Sequence, residues 1–346
     1  MDPMPLAGGF AATADEARAM TRYPLSWLLC HDCGLVNVSP DIPDDLIYRT
    51  YSYAASTVPA LVRHHAEFAS VLAARYGPSI RFLEIGCNDG VLLNQLPKTW
   101  DRAGVDPSDV AWSKAETADY LLVGEPFHGD LFAADTFDVV TSSNAFAHFS
   151  DIADALDGVA HVLKPGGEFW LEVHDLDATL ASGQWDTIYH EHKVEWSLRS
   201  LVMAVEPYGF ELDGAWDLPL HGGLIRVRFV HRPSPWVRDP ALPEFADLRR
   251  TYRERKAPPL MAHSAAYGAS GRATVYLNQM GTLPIDYIVD ASPLRAGKFV
   301  PGLGIPVLSP QVFDIDRPET TLITAWNHAA DIRRRHPDYE GWVTAW

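Results

Sequence analysis

A glycine-rich turn after an apolar stretch gives the clearest chemical signal in this sequence. Residues 81–85 (RFLEI) predict a buried strand, and Gly86 and Gly90 frame the five residues that follow (GCNDG). Glycines let the backbone turn sharply and approach a ligand without a clash from a β-carbon. Asp106 ends the next predicted strand, about twenty residues on, where a carboxylate accepts hydrogen bonds from both hydroxyls of a ribose. Together these features predict a site for a cofactor that contains a nucleoside.

The charge inside this turn indicates which cofactor it takes. Dinucleotide enzymes place a third glycine beneath a pyrophosphate, whereas Asp89 stands within this turn and would repel one. Asp89 and Glu84 instead suit the sulfonium and ammonium groups of S-adenosylmethionine. The predicted cofactor residues lie in the turn and at the ends of neighbouring strands: Glu84, Gly86, Asn88, Asp89, Gly90, Asp106 and Asn144. The alternative is a tight strand-to-helix turn that binds nothing.

Residues 189–192 (YHEH) combine a candidate general base with a group that could orient it. Glu191 could fix the tautomer of a neighbouring histidine and raise its basicity. Methyl transfer to carbon requires removal of a proton next to a carbonyl group, whereas oxygen and nitrogen acceptors require less. His148 follows the strand predicted at 137–142 and should lie at the same sheet edge as the cofactor. An H-x-H loop by itself is more often a surface turn or a metal-binding turn.

Other polar side chains are candidates for contacts with a substrate. Glu172 and His174 end the fifth predicted strand, where they would touch the acceptor or support residues that do. His221 precedes two glycines in a predicted hairpin whose backbone could approach the substrate, although a plain hairpin explains the glycines equally well. Tyr51 or Tyr53 could close over the acceptor.

Two arginines are candidates for phosphate contacts. Arg226 lies in a predicted strand, and Arg272 begins a predicted helix after residues 267–271 (YGASG). The alternative interpretation is that both arginines lie at the edge of a hydrophobic core and do not contact phosphate. The full set of predicted substrate residues is Tyr51, Tyr53, His190, Glu172, His174, His221, Arg226 and Arg272.

The elements that must position these groups alternate between strand and helix. From residue 80 to residue 173 the pattern predicts parallel βαβ units and a doubly wound sheet, closed by two later strands. Prolines between 233 and 259 mark a boundary, and a smaller Rossmann-like α/β pattern follows. The first twenty or so residues are predicted to be an arm, with order beginning near Tyr23. We therefore expect an N-terminal segment at 1–58, a cofactor-binding domain at 59–232 and a C-terminal domain at 233–346.

Composition limits the classes of partner. With 28 basic and 45 acidic side chains, the formal charge of −17 would repel a phosphate backbone, so nucleic acid is not expected. Every apolar stretch is interrupted before it reaches the length of a membrane span. The three cysteines are too few to staple 346 residues, which favours a reduced, cytoplasmic protein. We expect a small-molecule substrate, and a monomer or a homodimer.

The sequence also resembles a known family, the sugar C-methyltransferases of antibiotic biosynthesis, which act on nucleotide-linked 4-keto deoxysugars. The resemblance covers nearly the whole chain from Tyr23 onward, and the YHEH loop with its flanks is its most specific part. The matching motifs are Tyr23-Pro24-Leu25, Cys30-x-x-Cys33-Gly34, Tyr51-Ser52-Tyr53, residues 84–90 (EIGCNDG), residues 186–192 (DTIYHEH), His221-Gly222-Gly223, Tyr267-Gly268-Ala269, Asp290-x-x-Pro293, Pro301-Gly302 and Ala325-Trp326-Asn327-His328.

This resemblance implies a three-part protein. An N-terminal zinc module would precede a class I, Rossmann-like methyltransferase domain that binds S-adenosylmethionine. A C-terminal Rossmann-like domain would help to hold the nucleotide sugar. The resemblance implies that His192 is the base, with Glu191 and Tyr189 beside the substrate, and that His148 is a functional histidine. The reaction would be C-methylation next to a carbonyl group through an enolate.

The sequence departs from this family at its zinc module. The family holds zinc with two Cys-x-x-Cys pairs, whereas only Cys30 and Cys33 remain here. Two thiolates cannot complete a tetrahedral structural site, so either His31 or another histidine completes it or the metal has been lost; we favour loss. The reduced module puts the usual substrate in doubt. The alternatives are a methyltransferase that acts on carbon, nitrogen or oxygen of a non-nucleotide compound, and a non-catalytic binding subunit.

Overall fold

Three β-sheets organise the chain, and the structure, a computed structural model, describes residues 1–48, 53–114, 116–232 and 246–344. The strands are β1 (Ser26–Leu29), β2 (Val36–Ser39), β3 (Arg81–Ile85), β4 (Asp101–Val105), β5 (Leu121–Val123), β6 (Phe137–Ser143), β7 (Leu163–His174), β8 (Val194–Glu195), β9 (Phe210–Leu218), β10 (Leu224–His231), β11 (Ser264–Tyr267), β12 (Tyr287–Val289), β13 (Val307–Leu308), β14 (Thr320–Ile323) and β15 (Trp342–Thr344). The α-helices are α1 (Ala14–Ala19), α2 (Asp44–Tyr48), α3 (Pro59–Arg75), α4 (Val91–Gln95), α5 (Asp109–Trp112), α6 (Ile152–Val162), α7 (Leu176–Ser182), α8 (Leu198–Val205), α9 (Ala246–Arg253), α10 (Gly271–Met280), α11 (Pro310–Asp316) and α12 (Ala329–Arg335).

The central sheet has the order β5-β4-β3-β6-β7-β10-β9, in which β10 runs antiparallel to both of its neighbours. The five strands from β5 to β7 are parallel. Helices α3 and α4 cover one face through Phe68 and Leu92, and α6 and α8 cover the other through Val159 and Leu201. Because both faces are covered, β3 is apolar and fully buried at Phe82. This arrangement confirms the predicted class I, Rossmann-like methyltransferase fold.

The C-terminal sheet is parallel throughout, with the order β13-β12-β11-β14-β15. The smaller Rossmann-like domain that the sequence predicted is therefore present. Strands β13 and β15 were missed, because runs of two and three residues are too short to show a period of two.

The N-terminal segment differs from its prediction. Met4, Ala7 and Ala17 are fully buried, so order does not begin near Tyr23 as expected. Met4 and Ala7 pack into the core of the C-terminal domain, and Ala11 pairs with Phe299. Small residues allow this segment to pack closely against another surface. A local sequence pattern does not reveal such packing.

A third, antiparallel sheet of order β1-β2-β8 joins this N-terminal region to the middle of the chain. Its last strand, β8, directly follows the YHEH loop. The three domain ranges given above stay predictions. In the described part of the chain, no helix combines the length and the apolar character that crossing a membrane requires.

Candidate active site

A cavity of about 760 Å³ opens where β3, β4 and β6 end. The carboxyl ends of parallel strands meet at one sheet edge, which is where open α/β sheets bind ligands. Among the described residues, the cavity lining contains no lysine or arginine but six acids: Asp44, Glu84, Asp106, Asp109, Asp151 and Asp154. A cavity with this charge suits a cationic ligand.

The turn after β3 has the backbone geometry that its glycines predicted. Gly86 has φ +73°, and a β-carbon there would lie 2.2 Å from Cβ of Ala145. Gly90 has φ +75° and would place a β-carbon 1.9 Å from Oη of Tyr120. Only glycine fits these positions, so the backbone approaches the neighbouring loops closely and leaves the cavity open.

Asp106 is held at the cavity by the turn itself. Its Oδ2 atom accepts a hydrogen bond from the backbone N–H of Asn88 at 2.8 Å, and its Oδ1 atom accepts one from the N–H of Ser108 at 2.9 Å. Asn88 in turn accepts from the N–H of Ala55 at 2.9 Å and donates to the carbonyl of Tyr53 at 2.9 Å. These bonds orient the carboxylate that the sequence assigned to a ribose.

Two buried acceptors in the lining test whether the site fits a cationic cofactor. Oε2 of Glu84 and Oδ1 of Asn144 are both buried and make no hydrogen bond within the described residues. Burial and the nearby charge of Asp106 raise the pKa of Glu84 well above its usual value. Buried acceptors without partners are rare and indicate a missing donor or cation. An ammonium group would satisfy both, so these residues fit the predicted cofactor.

Asp89 binds the segment before α3, and its predicted contact with the cofactor stays a prediction. Its carboxylate accepts hydrogen bonds from the N–H of Ser56 at 3.2 Å and from the Ser56 hydroxyl, and it is not part of the cavity lining. The segment before α3 folds over the turn, which local spacing did not reveal. Asp89 therefore anchors that segment.

His192 lies at the centre of the predicted catalytic group. Its Nε2 atom lies 3.0 Å from Oη of Tyr189, and the two rings are 4.3 Å apart. Its Nδ1 atom lies 3.4 Å from Oε1 of Glu195. Burial and the charge of Arg272 lower the pKa of His192 to about 4, so the ring is neutral near pH 7. A neutral imidazole has the lone pair that a base requires.

His148 lines the cavity beside His192, with 5.2 Å between the ring centroids. Its Nδ1 atom donates a hydrogen bond to the backbone carbonyl of Glu191 at 2.6 Å, because a carbonyl can only accept. Burial and the proximity of His192 lower the pKa of His148 to about 4. Two of the predicted catalytic histidines are therefore neighbours.

The other two residues of the loop point elsewhere. The carboxylate of Glu191 accepts a hydrogen bond from the backbone N–H of Gly8 at 2.7 Å, and its predicted role in orienting a histidine stays a prediction. The ring of His190 donates from Nε2 to the carbonyl of Pro24 at 2.8 Å and is 1% exposed. Consecutive side chains diverge because the loop crosses between the cavity and the N-terminal segment.

Glu172 and Arg226 bind each other. Nε of Arg226 donates to Oε1 of Glu172 at 2.5 Å, and Nε2 of His64 lies 2.9 Å from Oε2 of Glu172. The Arg226 guanidinium also covers the ring of Phe68 at 3.9 Å. The register of β7 and β10 places the two residues opposite each other, and their predicted contacts with the substrate stay predictions.

Arg272 joins the two large domains. It donates to Oδ1 of Asp186 at 2.9 Å, to Oε1 of Gln184 at 3.1 Å and to the carbonyl of His221 at 2.5 Å. Trp326 also donates to Asp186 at 3.1 Å. Arg272 therefore uses its donors within the protein, and its predicted phosphate contact stays a prediction. We call this group the Arg272 clamp, comprising Arg272, Asp186, Gln184, His221 and Trp326.

Further histidines extend from His192 toward the C-terminal domain. The ring of His174 lies 5.5 Å from that of His192 and 5.9 Å from that of His221. The ring of His328 lies 6.3 Å from that of His221. Burial lowers the pKa of His174 well below its usual value and that of His221 to about 3. Of these rings, that of His221 lines the cavity, as His148 does.

The remaining predicted residues have separate outcomes. Tyr53 lines the cavity, and burial raises its pKa to about 12, whereas Tyr51 lies outside the described residues. Cys30 and Cys33 are free thiols at the turn between β1 and β2. In the described ranges, no group of three or more His, Cys, Asp or Glu side chains is arranged to hold a metal ion. Two thiols alone do not fit a tetrahedral zinc site, and the loss of zinc stays a prediction.

Sequence reasoning missed three residues of the site. Ser56 binds Asp89, Asp186 binds Arg272, and Glu195 lies against His192. Glu195 had a signal, because it is an acid between apolar Val194 and Trp196 and follows the YHEH loop by three residues. Charged residues are rarely buried unless they are paired, so a charge inside an apolar run predicts a buried partner for Glu195.

Comparisons with known proteins agree with this arrangement. A family model described as a methyltransferase domain matches residues 58–214, and one described as a C-methyltransferase C-terminal domain matches residues 260–346. The C-methyltransferase NovU of Streptomyces niveus is 30% identical over 362 residues, covering 95% of this chain and 86% of that protein.

Solved structures are similar to about half of the chain. The YcgJ protein from Bacillus subtilis is 20% identical, with a TM-score of 0.39, and the match covers 49% of this chain and 99% of that chain. A methyltransferase from Methanosarcina mazei that depends on S-adenosylmethionine is 14% identical, with a TM-score of 0.39, over 47% of this chain and 98% of that chain.

The relative that is matched over almost the whole chain, together with both family models, establishes the class of enzyme. The cavity has the acceptors that its cationic cofactor requires. This chain belongs to the C-methyltransferase family that includes NovU, and it is a C-methyltransferase that depends on S-adenosylmethionine.

Proposed function

We propose that the enzyme methylates a carbon atom next to the ketone of a nucleotide-linked 4-keto deoxysugar, as a cytoplasmic step of natural-product biosynthesis. The observation that carries this proposal is the pair of Tyr189 and His192, 3.0 Å apart and next to His148, which lines the cofactor cavity. Carbon becomes nucleophilic only when a base removes the proton next to the carbonyl. A neutral histidine paired with a tyrosine provides that base.

The cofactor would be held by Glu84, Asp106, Asn144 and the backbone of the turn. It supplies an electrophilic methyl group when bound. His192 and Tyr189 remove the proton from the acceptor carbon, and the electron pair of the broken C–H bond remains on the substrate as an enolate. His148 and His221 line the same cavity.

The proton-transfer step can be tested separately from methylation. The enzyme would be incubated with thymidine-diphosphate-4-keto-6-deoxyglucose in deuterated water, and exchange of the α-proton would be followed by NMR. We expect exchange with the parent enzyme and a loss of about 100-fold in His192→Asn, since general base catalysis contributes this much. His161→Asn, which changes an exposed histidine of α6, is the control and should keep the parent rate. No exchange with the parent enzyme would contradict carbon methylation of this sugar.

One observation favours a second acceptor, a ketone without a nucleotide. Both arginines that the sequence assigned to phosphate are paired with buried acids instead, Arg226 with Glu172 and Arg272 with Asp186. Titration of thymidine diphosphate in a calorimeter distinguishes the two proposals. Binding supports the nucleotide sugar, and absence of binding supports the second acceptor.

A further inference from the structure

Glu195 is a buried acid without a hydrogen bond. The residue is 1% exposed, and neither Oε1 nor Oε2 has a hydrogen-bond partner among the described residues. A carboxyl group in this position is costly for the folded state, because burial disfavours its charged form and no donor compensates. Apolar Val194 and Trp196 flank it, so a third apolar residue would suit its fold equally well. A chemical role explains why an acid stands there.

The ionisable group that Glu195 approaches is His192. Oε1 of Glu195 lies 3.4 Å from Nδ1 of His192, and that Nδ1 atom is itself buried without a hydrogen bond in the described structure. On its other side the His192 ring bonds Tyr189, with 3.0 Å between Nε2 and Oη. The three side chains therefore form a continuous row, in which each nitrogen of the ring faces a different oxygen.

The N-terminal hairpin holds this acid in place. Glu195 belongs to β8, and its Cα partner in β2 is Val36. Strand β2 pairs in turn with β1, so the hairpin that carries Cys30 and Cys33 forms a sheet with the strand of Glu195. Pairing within the β-sheet thus fixes the backbone of Glu195. A position in a loop would not be fixed in this way.

We propose that Glu195 is a positioning residue that fixes the tautomer of His192 and takes up the proton that Tyr189 and His192 remove from the acceptor carbon. This inference rests on the proposed carbon methylation. With Glu195 ionised, Nδ1–H of His192 donates to it, and Nε2 accepts the hydroxyl proton of Tyr189. Glu191, the acid within the YHEH motif, does not serve this purpose, since it binds the backbone of Gly8.

The protons balance along this row. The α-proton of the substrate moves to Oη of Tyr189 as the hydroxyl proton of Tyr189 moves to Nε2 of His192. The proton on Nδ1 of His192 moves to Glu195. The C–H bond breaks, its electron pair stays on the enolate, and one carboxylate becomes a neutral carboxylic acid. No oxidant or further reactant is required.

The surroundings give this step a pH dependence. Burial raises the pKa of Glu195 well above its usual value, and only the charge of Arg272 opposes this shift. The other groups that face His192 are neutral rings, those of His148 and His174. The backbone of Thr187 partly offsets the lowering of the His192 pKa by burial and by the charge of Arg272. Because the ionised form of Glu195 is the active one, the rate should rise with pH as Glu195 loses its proton.

A measurement without substrate tests the row directly. In protein labelled with ¹⁵N-histidine, the ring signals of His192 are assigned by their loss in His192→Asn and followed from about pH 6 to about pH 10. We expect Glu195→Gln to shift the signals of the His192 ring nitrogens and to abolish the pH dependence that these signals take from the ionisation of Glu195. Glu168→Gln is the matched control. Glu168 lies toward the end of β7 that is remote from His174, where it binds Arg75 and Tyr76. Unchanged His192 signals in Glu195→Gln would overturn the proposal.

Kinetics provide the second readout. In Glu195→Gln we expect kcat to fall about 10- to 100-fold, with KM nearly unchanged, and the pH profile to lose its ionisation. Glu195→Asp keeps a carboxyl group and should keep that ionisation. Glu195→Gln should melt at or above the temperature of the parent enzyme, because a buried acid without a partner is removed. A parent pH profile in Glu195→Gln would contradict the role of Glu195, whereas a parent enzyme that exchanges no α-proton would contradict the proposed function itself.

Discussion

Buried acids in this enzyme differ in pKa according to what lies against them. Burial by itself would raise the pKa of Glu172. Hydrogen bonding to His64 and the charge of Arg226 nevertheless lower this pKa to about 2. Glu191 accepts backbone hydrogen bonds from Gly8, and burial raises its pKa to about 7. A full positive charge compensates burial of a carboxylate, whereas backbone dipoles compensate only part of it.

Glu191 should therefore make the stability of the protein depend on pH. Its pKa is higher in the folded state than the usual 4.5, so its stabilising contribution is complete at acidic pH and is lost as pH rises through about 7. Between pH 5.5 and pH 8.5 the parent enzyme should lose up to about 2 kcal/mol of unfolding free energy through this group, and Glu191→Gln should remove that loss. Urea unfolding at both pH values measures this difference.

Glu211→Gln is the matched control for that experiment. Glu211 lies on β9, the outer strand of the central sheet, and is partly exposed. Glu211→Gln should leave the pH dependence of the unfolding free energy as it is in the parent enzyme. An equal effect of both substitutions would contradict the assignment to burial of Glu191.

At the scale of elements, the turn between β3 and α4 depends on a close approach of two backbones. Gly86→Ala would add both a strained positive φ and a contact of 2.2 Å with Cβ of Ala145. We expect it to lower the free energy of unfolding by more than about 2 kcal/mol and to weaken binding of S-adenosylmethionine at least about tenfold. Thermal unfolding and calorimetry with the cofactor measure the two effects.

Gly166→Ala separates the strain from the clash. Gly166 also has a positive φ, +78°, but a β-carbon there meets nothing within 4 Å. Gly166→Ala should lower the free energy of unfolding by about 1 kcal/mol and leave cofactor affinity unchanged. If both alanine variants bound the cofactor as the parent enzyme does, the close approach at Gly86 would not be what shapes the cavity.

At the scale of the whole molecule, the Arg272 clamp connects the central domain to the C-terminal domain. Asp186 is 1% exposed, so removal of its cation leaves a buried charge without compensation. We expect Arg272→Met to lower the free energy of unfolding by about 3 to 5 kcal/mol, measured in urea. Asp186→Asn in the same chain should recover part of this loss, because the buried charge is then absent.

An exposed ion pair serves as the comparison. Arg334 pairs with Asp331 on α12 at the surface, with 75% of the arginine side chain exposed. Arg334→Met should change the free energy of unfolding by less than about 1 kcal/mol. Similar small losses in both arginine variants would contradict the clamp as a link between domains.

Much of the fold was predictable because its signals are local. The strands and glycines of residues 81–90 and the apolar runs at β6 and β7 have their own periods and turn residues. Short strands such as β8, β13 and β15 were not predictable, since their pairing partners provide the hydrogen bonds that define them. The burial of Met4 was missed for the same reason, because it depends on a surface formed by distant residues.

The sequence by itself determined the class of enzyme and the backbone geometry of the turn after β3, because its glycines constrain the local backbone whatever surrounds them. Only the tertiary structure decided which polar groups work together. It placed Glu195 and not Glu191 against His192, and it paired Arg226 and Arg272 with buried acids. The physical reason is that the direction of a side chain, and the pKa it acquires, depend on neighbours that the chain brings from far away.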